Sequence, residues 1–203
     1  MKIICIGRNY AEHAKELNSP LPSEPVFFLK PDTCLLPKNQ AFFYPEFSKD
    51  IQYETELVVK INKVGKYIQS KFAHTYYDEI GIGIDFTARD LQQRCKEKGL
   101  PWEICKAFDN AAPLGKFLDK NIFSNIQDID FHLELNGKTV QKGNSKDMIF
   151  SIDTIIAYIS QFITLKIGDL IFTGTPVGVG PIKINDQLKA FIGEECLLKV
   201  DVR

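Results

Sequence analysis

Residues 51–59 read IQYETELVV. Side chains alternate faces along a strand, so Tyr53, Thr55, Leu57 and Val59 share one face while Glu54, Glu56 and Val58 share the other. Two carboxylates then point the same way, two residues apart. One reading is a half-buried strand whose polar face meets water, the ordinary environment of a glutamate. The other is half of a metal site. These nine residues leave both open.

Working outward, most of the chain has strand character. KIICI, PVFFLK, ETELVVKI, EIGIGIDF, DFHLELNG and DLIFTG are short apolar or alternating runs, followed by QLKAFIG and CLLKVDV. LNGKT and IGEEC carry the turn residues of tight hairpins. Three helices are expected. Asn9 is a candidate cap for a short one through YAEHAKEL, ended by the prolines of NSPLPSEP. In DFTARDLQQRCKEKG, Thr87 and Asp90 have capping-box spacing, and Gly99 with Pro101 marks the stop. Met148, Ile152, Ile155, Ile156, Ile159 and Ile163 recur at helical spacing behind Ser151, a candidate cap. Strands without regular βαβ alternation point to an α+β, mainly β fold rather than a doubly wound nucleotide fold.

The 203 residues show no internal repeat or linker-like segment, so a single domain spanning 1–203 is expected. With 25 basic and 26 acidic residues and no Lys/Arg-rich stretch, a nucleic-acid partner is not expected. No apolar run approaches the length of a membrane span, and MKIICIGRNY reads as a first strand rather than a signal-peptide core. Cys5, Cys34, Cys95, Cys105 and Cys196 are scattered and odd in number. That suits buried thiols in a reducing, cytoplasmic setting better than a disulfide framework.

The chemistry concentrates in carboxylates. Asp85 closes the run IGIGI, where Gly81 and Gly83 would admit a backbone or a ligand. It is either a helix cap or a ligand. If Glu54, Glu56 and Asp85 converge, mutual repulsion raises their pKa values. A divalent cation relieves that conflict, and all-oxygen ligands favour Mg²⁺ or Mn²⁺, with Ca²⁺ less suited. His13 and Glu16, three apart, share a helix face. They form either a solvated turn or a base oriented by a carboxylate. His74 and His132 read as structural. Lys106 in PWEICKAFDN is a surface charge or a counter-charge, and IFTGTPVGVGP (171–181) is a plain turn or a carboxylate-binding one built around Thr175.

Taken together and in order, these segments resemble the fumarylacetoacetate hydrolase family. GRNYAEHAKEL, EPVFFLKP, YETELVV, GIDFTARDLQ, KGLPWEICKAFDNAAPLG and MIFSIDTIIAYIS carry the likeness, with ITLKIGDLIFTGTPVGVGP at the end. The likeness is strongest to the small single-domain acylpyruvase and oxaloacetate decarboxylase branch. It implies a mixed β-sheet roll, a homodimer, and Mg²⁺ or Mn²⁺ held by Glu54, Glu56 and Asp85. It also implies that His13 and Glu16 act from a lid, that Lys106 is catalytic, and that Gln92 and Thr175 contact substrate. Arg8 and Lys30 are further carry-overs to the substrate site. Tyr53 stands where relatives often have histidine. The implied activity is metal-dependent carbon–carbon bond hydrolysis or lysis of acylpyruvates or oxaloacetate. An isomerase of 2-oxo or 2-hydroxy dienoic diacids, and a metal-binding protein without catalysis, are the alternatives.

Overall fold

The computed structural model describes residues 1–16 and 20–203. The first half of the chain contributes β1 (Ile3–Gly7), α1 (Ala11–Glu16), β2 (Val26–Lys30), β3 (Ile51–Tyr53), β4 (Thr55–Ile61) and α2 (Ser70–Ala73). Next come β5 (Tyr77–Ile84), β6 (Thr87–Ala88), α3 (Arg89–Lys98), α4 (Glu103–Lys106), β7 (Leu114–Asp119) and β8 (Asp130–Leu135). The chain closes with β9 (Lys138–Asn144), α5 (Ile152–Phe162), β10 (Leu170–Phe172), β11 (Gly180–Pro181), β12 (Gln187–Ile192) and β13 (Glu195–Asp201).

These strands form three sheets, so the α+β, mainly β expectation holds. A six-stranded sheet runs β2-β1-β10-β4-β5-β7, in which β1 and β10 pair parallel and the other neighbours antiparallel. Beside it lie β11-β3-β6 and β13-β12-β8-β9. The central strands are apolar on both faces because both are covered: Leu57 and Val59 join the main core, and Val58 packs on the other side with Ile3, Cys5 and Phe172. On α5, Ile152, Ile155, Ile156 and Ile159 are buried on one stripe, and Ser151 accepts the Thr154 N–H as its cap. Each such side chain contributes about 1.5–3 kcal/mol as an upper bound. The hairpin turns also form as read, with Asn136, Gly137 and Gly193 at positive φ.

Several local expectations give way to tertiary contacts. The stretch 51–59 is not one strand. It changes sheets at Glu54, because β3 pairs with β6 and β11 while β4 joins the large sheet. Neither face of β4 is wet from Thr55 to Val59. Asn9 does not cap α1; its side chain donates to the carbonyls of Phe150 and Thr173 and accepts the Phe150 N–H. No side chain caps α3, since Asp90 instead holds Ser48 and the Lys49 N–H. Gly81 and Gly83 admit the neighbouring backbone and two aromatic rings rather than a ligand, with the Lys116 and Pro113 carbonyl oxygens each 3.1 Å from where a Cβ would sit. A Cβ at either would lie 2.9 Å from the Phe117 ring or 2.6 Å from the Phe172 ring. The expected end of the first helix in NSPLPSEP falls partly on Leu17–Ser19, outside the described residues.

Candidate metal centre and active-site cleft

The pairing of β4 with β5 brings the carboxylates together. In that antiparallel register Thr55 faces Ile84 and Glu56 faces Gly83. The next step along the ladder sets Asp85 beside Glu54, whose carbonyl accepts the Asp85 N–H at 2.8 Å. Carboxylate oxygens of Glu54, Glu56 and Asp85 all lie within 4.8 Å of one another. The three residues are 6%, 1% and 1% exposed. The solvated-strand reading is therefore wrong, and so is helix capping by Asp85.

Cations surround this cluster. Lys106 Nζ donates to Glu54 Oε2 and Asp85 Oδ2, both at 2.8 Å, and to Thr87 Oγ1 at 2.6 Å. An ammonium has three N–H groups, and here all three are engaged. Lys106 is buried, not a surface charge. Arg89 reaches Glu54 Oε1 at 2.7 Å, and Lys30 Nζ lies 2.7 Å from Asp85 Oδ1. Lys30 also donates to the Ala111 carbonyl at 3.1 Å, and Asp85 Oδ1, although paired with that ammonium, has no aligned hydrogen-bond donor.

The surroundings separate the two glutamates electrostatically. Burial alone would raise the Glu54 carboxyl, but Lys106, Arg89 and His13 outweigh it and hold the group well below the usual carboxylate range. Burial, then repulsion by Asp85 and Glu54, pushes the Glu56 carboxyl well up; the Gly174 N–H and Lys106 offset this only in part. Burial opposes the Lys106 charge, yet Asp85 and Glu54 raise its pKa above the ordinary lysine value. A cluster that holds one carboxyl against its charge, and leaves one buried oxygen without a directed donor, fits a hard dication. The oxygen-only donor set is that of a hard divalent ion.

The glycine-rich turn after β10 does hold carboxylates, but they are the protein's own. The Gly174 N–H donates to Glu56 Oε2 at 2.7 Å, and the Gly178 N–H to Glu16 Oε1 at 3.1 Å. Gly174 has φ +100°, and a Cβ there would lie 2.7 Å from Asn9 Cβ. Gly174→Ala should therefore destabilise the fold by about 1–3 kcal/mol and weaken divalent-ion affinity as its N–H leaves Glu56. Thermal unfolding with and without Mg²⁺ checks both; unchanged values would show the turn to be irrelevant to the site.

His13, 4% exposed, sits on the cleft with Nδ1 2.9 Å from Glu16 Oε2. Donation of Nδ1–H to Glu16 leaves the lone pair on Nε2; the solvated-turn reading fails for His13, which is buried, while Glu16 stays exposed. The cleft is also lined by Arg8, Gln92, Lys106 and Thr175 around the three carboxylates. Gln92 Oε1 accepts from Arg89, which turns its amide N–H₂ to the cleft. The Thr175 hydroxyl proton is committed to the Thr55 carbonyl at 2.9 Å. Lys30 does not line the cleft; it stands behind Asp85. His132 stacks on Phe191 and His74 is exposed, both away from the site.

Sequence reading missed Arg89, Thr87, Lys96, Phe28, Trp102 and Gln141. Arg89 was legible, being three residues before Gln92 on one helix face. Gln141 was not. It accepts the Thr55 N–H and donates to Thr175, spanning separations of 86 and 34 residues.

Comparison with known proteins follows the same line. A family model described as fumarylacetoacetate hydrolase, C-terminal, matches residues 2–201. The chain is similar to the mitochondrial oxaloacetate tautomerase of Mus musculus, with 44% identity over 190 residues, covering 94% of this chain and 86% of that protein. It is 42% identical over 192 residues to the mitochondrial oxaloacetate decarboxylase of Dictyostelium discoideum, covering 94% and 88%. Among solved structures, the fumarylpyruvate hydrolase of Pseudomonas aeruginosa in complex with Mn²⁺ and pyruvate superposes with a TM-score of 0.93. It shares 35% identity, covering 100% of this chain and 89% of that one.

Proposed function

The chain belongs to the fumarylacetoacetate hydrolase family, and on that premise we propose that it is a divalent-metal-dependent enzyme acting at C3 of small 2-oxo acids, with oxaloacetate-type diacids as substrates. One observation carries this reading. The Glu54, Glu56 and Asp85 carboxylates line one cleft with His13, whose Nδ1 is held by Glu16. The relatives acting on oxaloacetate support it.

A divalent ion bound by Glu54, Glu56 and Asp85 would supply Lewis-acid polarisation of the substrate's keto oxygen. The remaining work falls to the chain. Gln92, through its free amide N–H₂, and Arg89 orient the carboxylate beside that ketone. His13 Nε2 takes a proton from C3, and Glu16 stabilises the imidazolium that forms. Returning the proton to the keto oxygen completes a tautomerisation. If the C3–C4 bond of oxaloacetate breaks instead, CO₂ leaves and a proton is delivered to C3. Lys106 has no free N–H, so it acts by holding Glu54 and Asp85 in place rather than by donating to substrate. Phe28 and Trp102 line the cleft and limit water.

Acylpyruvate hydrolysis is the second reading, supported by the similarity to a fumarylpyruvate hydrolase; there His13 would take its proton from water. Incubating Mg²⁺-loaded protein with oxaloacetate, acetylpyruvate and a 2-hydroxy dienedioate separates these reactions. Enol signal or CO₂ supports the first reading, acetate plus pyruvate the second, and an absorbance shift of the dienedioate alone an isomerase. No turnover of any 2-oxo acid with Mg²⁺ or Mn²⁺ would leave a metal-binding protein without catalysis.

The expected homodimer rests on the family resemblance. It is supported by β2, an edge strand of half-exposed and exposed apolar residues. Sedimentation at micromolar concentration should give the mass of two chains. All five cysteines are free and four are buried, which supports a reducing compartment, whether cytoplasm or, as for the relatives named, mitochondrion. No helix among the described residues is long and apolar enough to cross a membrane.

A further inference from the structure

Four basic side chains line the cleft: Arg8, Arg89, Lys96 and Lys106. Arg89 and Lys106 are paired with Glu54 and Asp85. Among the described residues, Arg8 and Lys96 are paired with no carboxylate. They come from different elements, Arg8 from the turn after β1 and Lys96 from α3, and both line the cleft.

Their placement is specific. Arg89, Gln92 and Lys96 are spaced three and four apart, so α3 presents them as one stripe. The stripe starts at Arg89, 2.7 Å from Glu54, and rises about 10 Å along the helix axis to Lys96. Arg8 has φ +59°, a left-handed backbone that an arginine adopts only when its surroundings impose it. Here the imposing contacts are those of Asn9, locked to Phe150 and Thr173. Partial burial and then Arg89, with Arg8 and Lys106, depress the Lys96 pKa against the pull of Glu54. A lysine in the last turn of a helix is ordinarily a solvated cation favoured by the helix dipole. Lys96 is exposed, but the dipole does not account for its also lining a cleft that already holds two guanidinium groups.

We propose that Lys96, with Arg8, is the subsite for the far carboxylate of a 2-oxo diacid, so that the cleft selects dianionic over monoanionic 2-oxo acids. The inference rests on the reading of the carboxylate cluster as the seat of the 2-oxo acid head. Arg89 and Gln92 then meet the near carboxylate, and Lys96 meets the far one, further along the same helix face. An anion placed there satisfies two cations that lack a partner in the protein, through charge-assisted pairs at the exposed end of the cleft. A monoacid of the same length leaves both cations as they were.

Pairs of ligands that differ only in the far carboxylate test this. At five carbons, 2-oxoglutarate and 2-oxopentanoate are titrated into the Mg²⁺-loaded full chain by calorimetry. At four carbons, the KM of oxaloacetate is compared with the inhibition constant of 2-oxobutanoate. At one length at least, the wild type should favour the diacid by ~10-fold or more, Lys96→Gln should erase most of that preference, and Lys96→Arg should keep it. The monoacid constants should move far less. Wild-type protein that binds diacid and monoacid alike at both lengths, or Lys96→Gln that keeps the preference, overturns the subsite while leaving the 2-oxo acid reading intact. Failure of all four compounds to bind or react would overturn that reading too, and the subsite with it.

Discussion

Replacing His13 with alanine should lower turnover by about 10²–10⁴-fold, the usual contribution of a positioned base, while calorimetric Mg²⁺ binding persists. The two effects separate because His13 touches Glu16, not the carboxylate cluster: its Nδ1 is bonded to Glu16 at 2.9 Å, and Glu16 is anchored to the Gly178 N–H. Glu16→Gln should cost less. Its side-chain oxygen can still accept from Gly178, but a neutral amide stabilises an imidazolium less well than a carboxylate. If His13→Ala turned over oxaloacetate at the wild-type rate, the imidazole would have no place in the mechanism. If Mg²⁺ binding were lost with it, the defect would be structural.

Glu56→Gln should abolish divalent binding and activity, yet make the metal-free protein more stable. Glu56 is buried against two like charges, which push its carboxyl well above the usual range. A carboxyl raised in the folded state adds stability that is fully present below the unfolded value and is lost as pH rises through the folded one. The metal-free wild type should therefore weaken as pH climbs above the ordinary carboxylate range. Glu54 works in the opposite direction. Held low by Lys106 and Arg89 despite its burial, it adds stability above the unfolded value that is lost only when pH falls through its depressed pKa. Glutamine keeps the acceptor for the Gly174 N–H and removes the charge, so Glu56→Gln should flatten the loss on the alkaline side. Adding Mg²⁺ at a hundredfold excess over its Kd should stabilise the wild type by about 2.7 kcal/mol, roughly 5–10 °C in Tm for a chain of this size. The variant should gain nothing. A Mg²⁺-dependent Tm rise in Glu56→Gln equal to that of the wild type would remove Glu56 from the ligand set.

Both predictions turn on residues already prominent in the sequence, whereas the electrostatics around them did not show there. ETE followed by a closing aspartate was legible as three candidate ligands. That Lys106 is held by Glu54, Asp85 and Thr87 was not, because PWEICKAF looks the same whether its lysine faces water or a carboxylate. The glycine-rich turn is locally compatible with a plain turn or a carboxylate holder, and only the fold makes it a holder of the protein's own Glu56 and Glu16. Asn9 and Asp90 were misassigned for a shared reason. Both residue types suit helix caps locally, but in this fold their side chains serve partners 141 and 42 residues away.

The sequence by itself determined what short-range physics controls. Isoleucine spacing with a serine cap made α5, Asn-Gly chemistry made the β8–β9 turn, and His13 and Glu16 fell on one helix face because three residues nearly complete a turn. Tertiary structure decided the switch of sheets at Glu54 and the register that sets Asp85 beside it. It also decided the burial of the carboxylates and the convergence of Arg8 with Lys96. Those outcomes depend on which distant strands pair and what they cover. Such pairing is settled by the free energy of the whole packed core, which no window of a dozen residues contains.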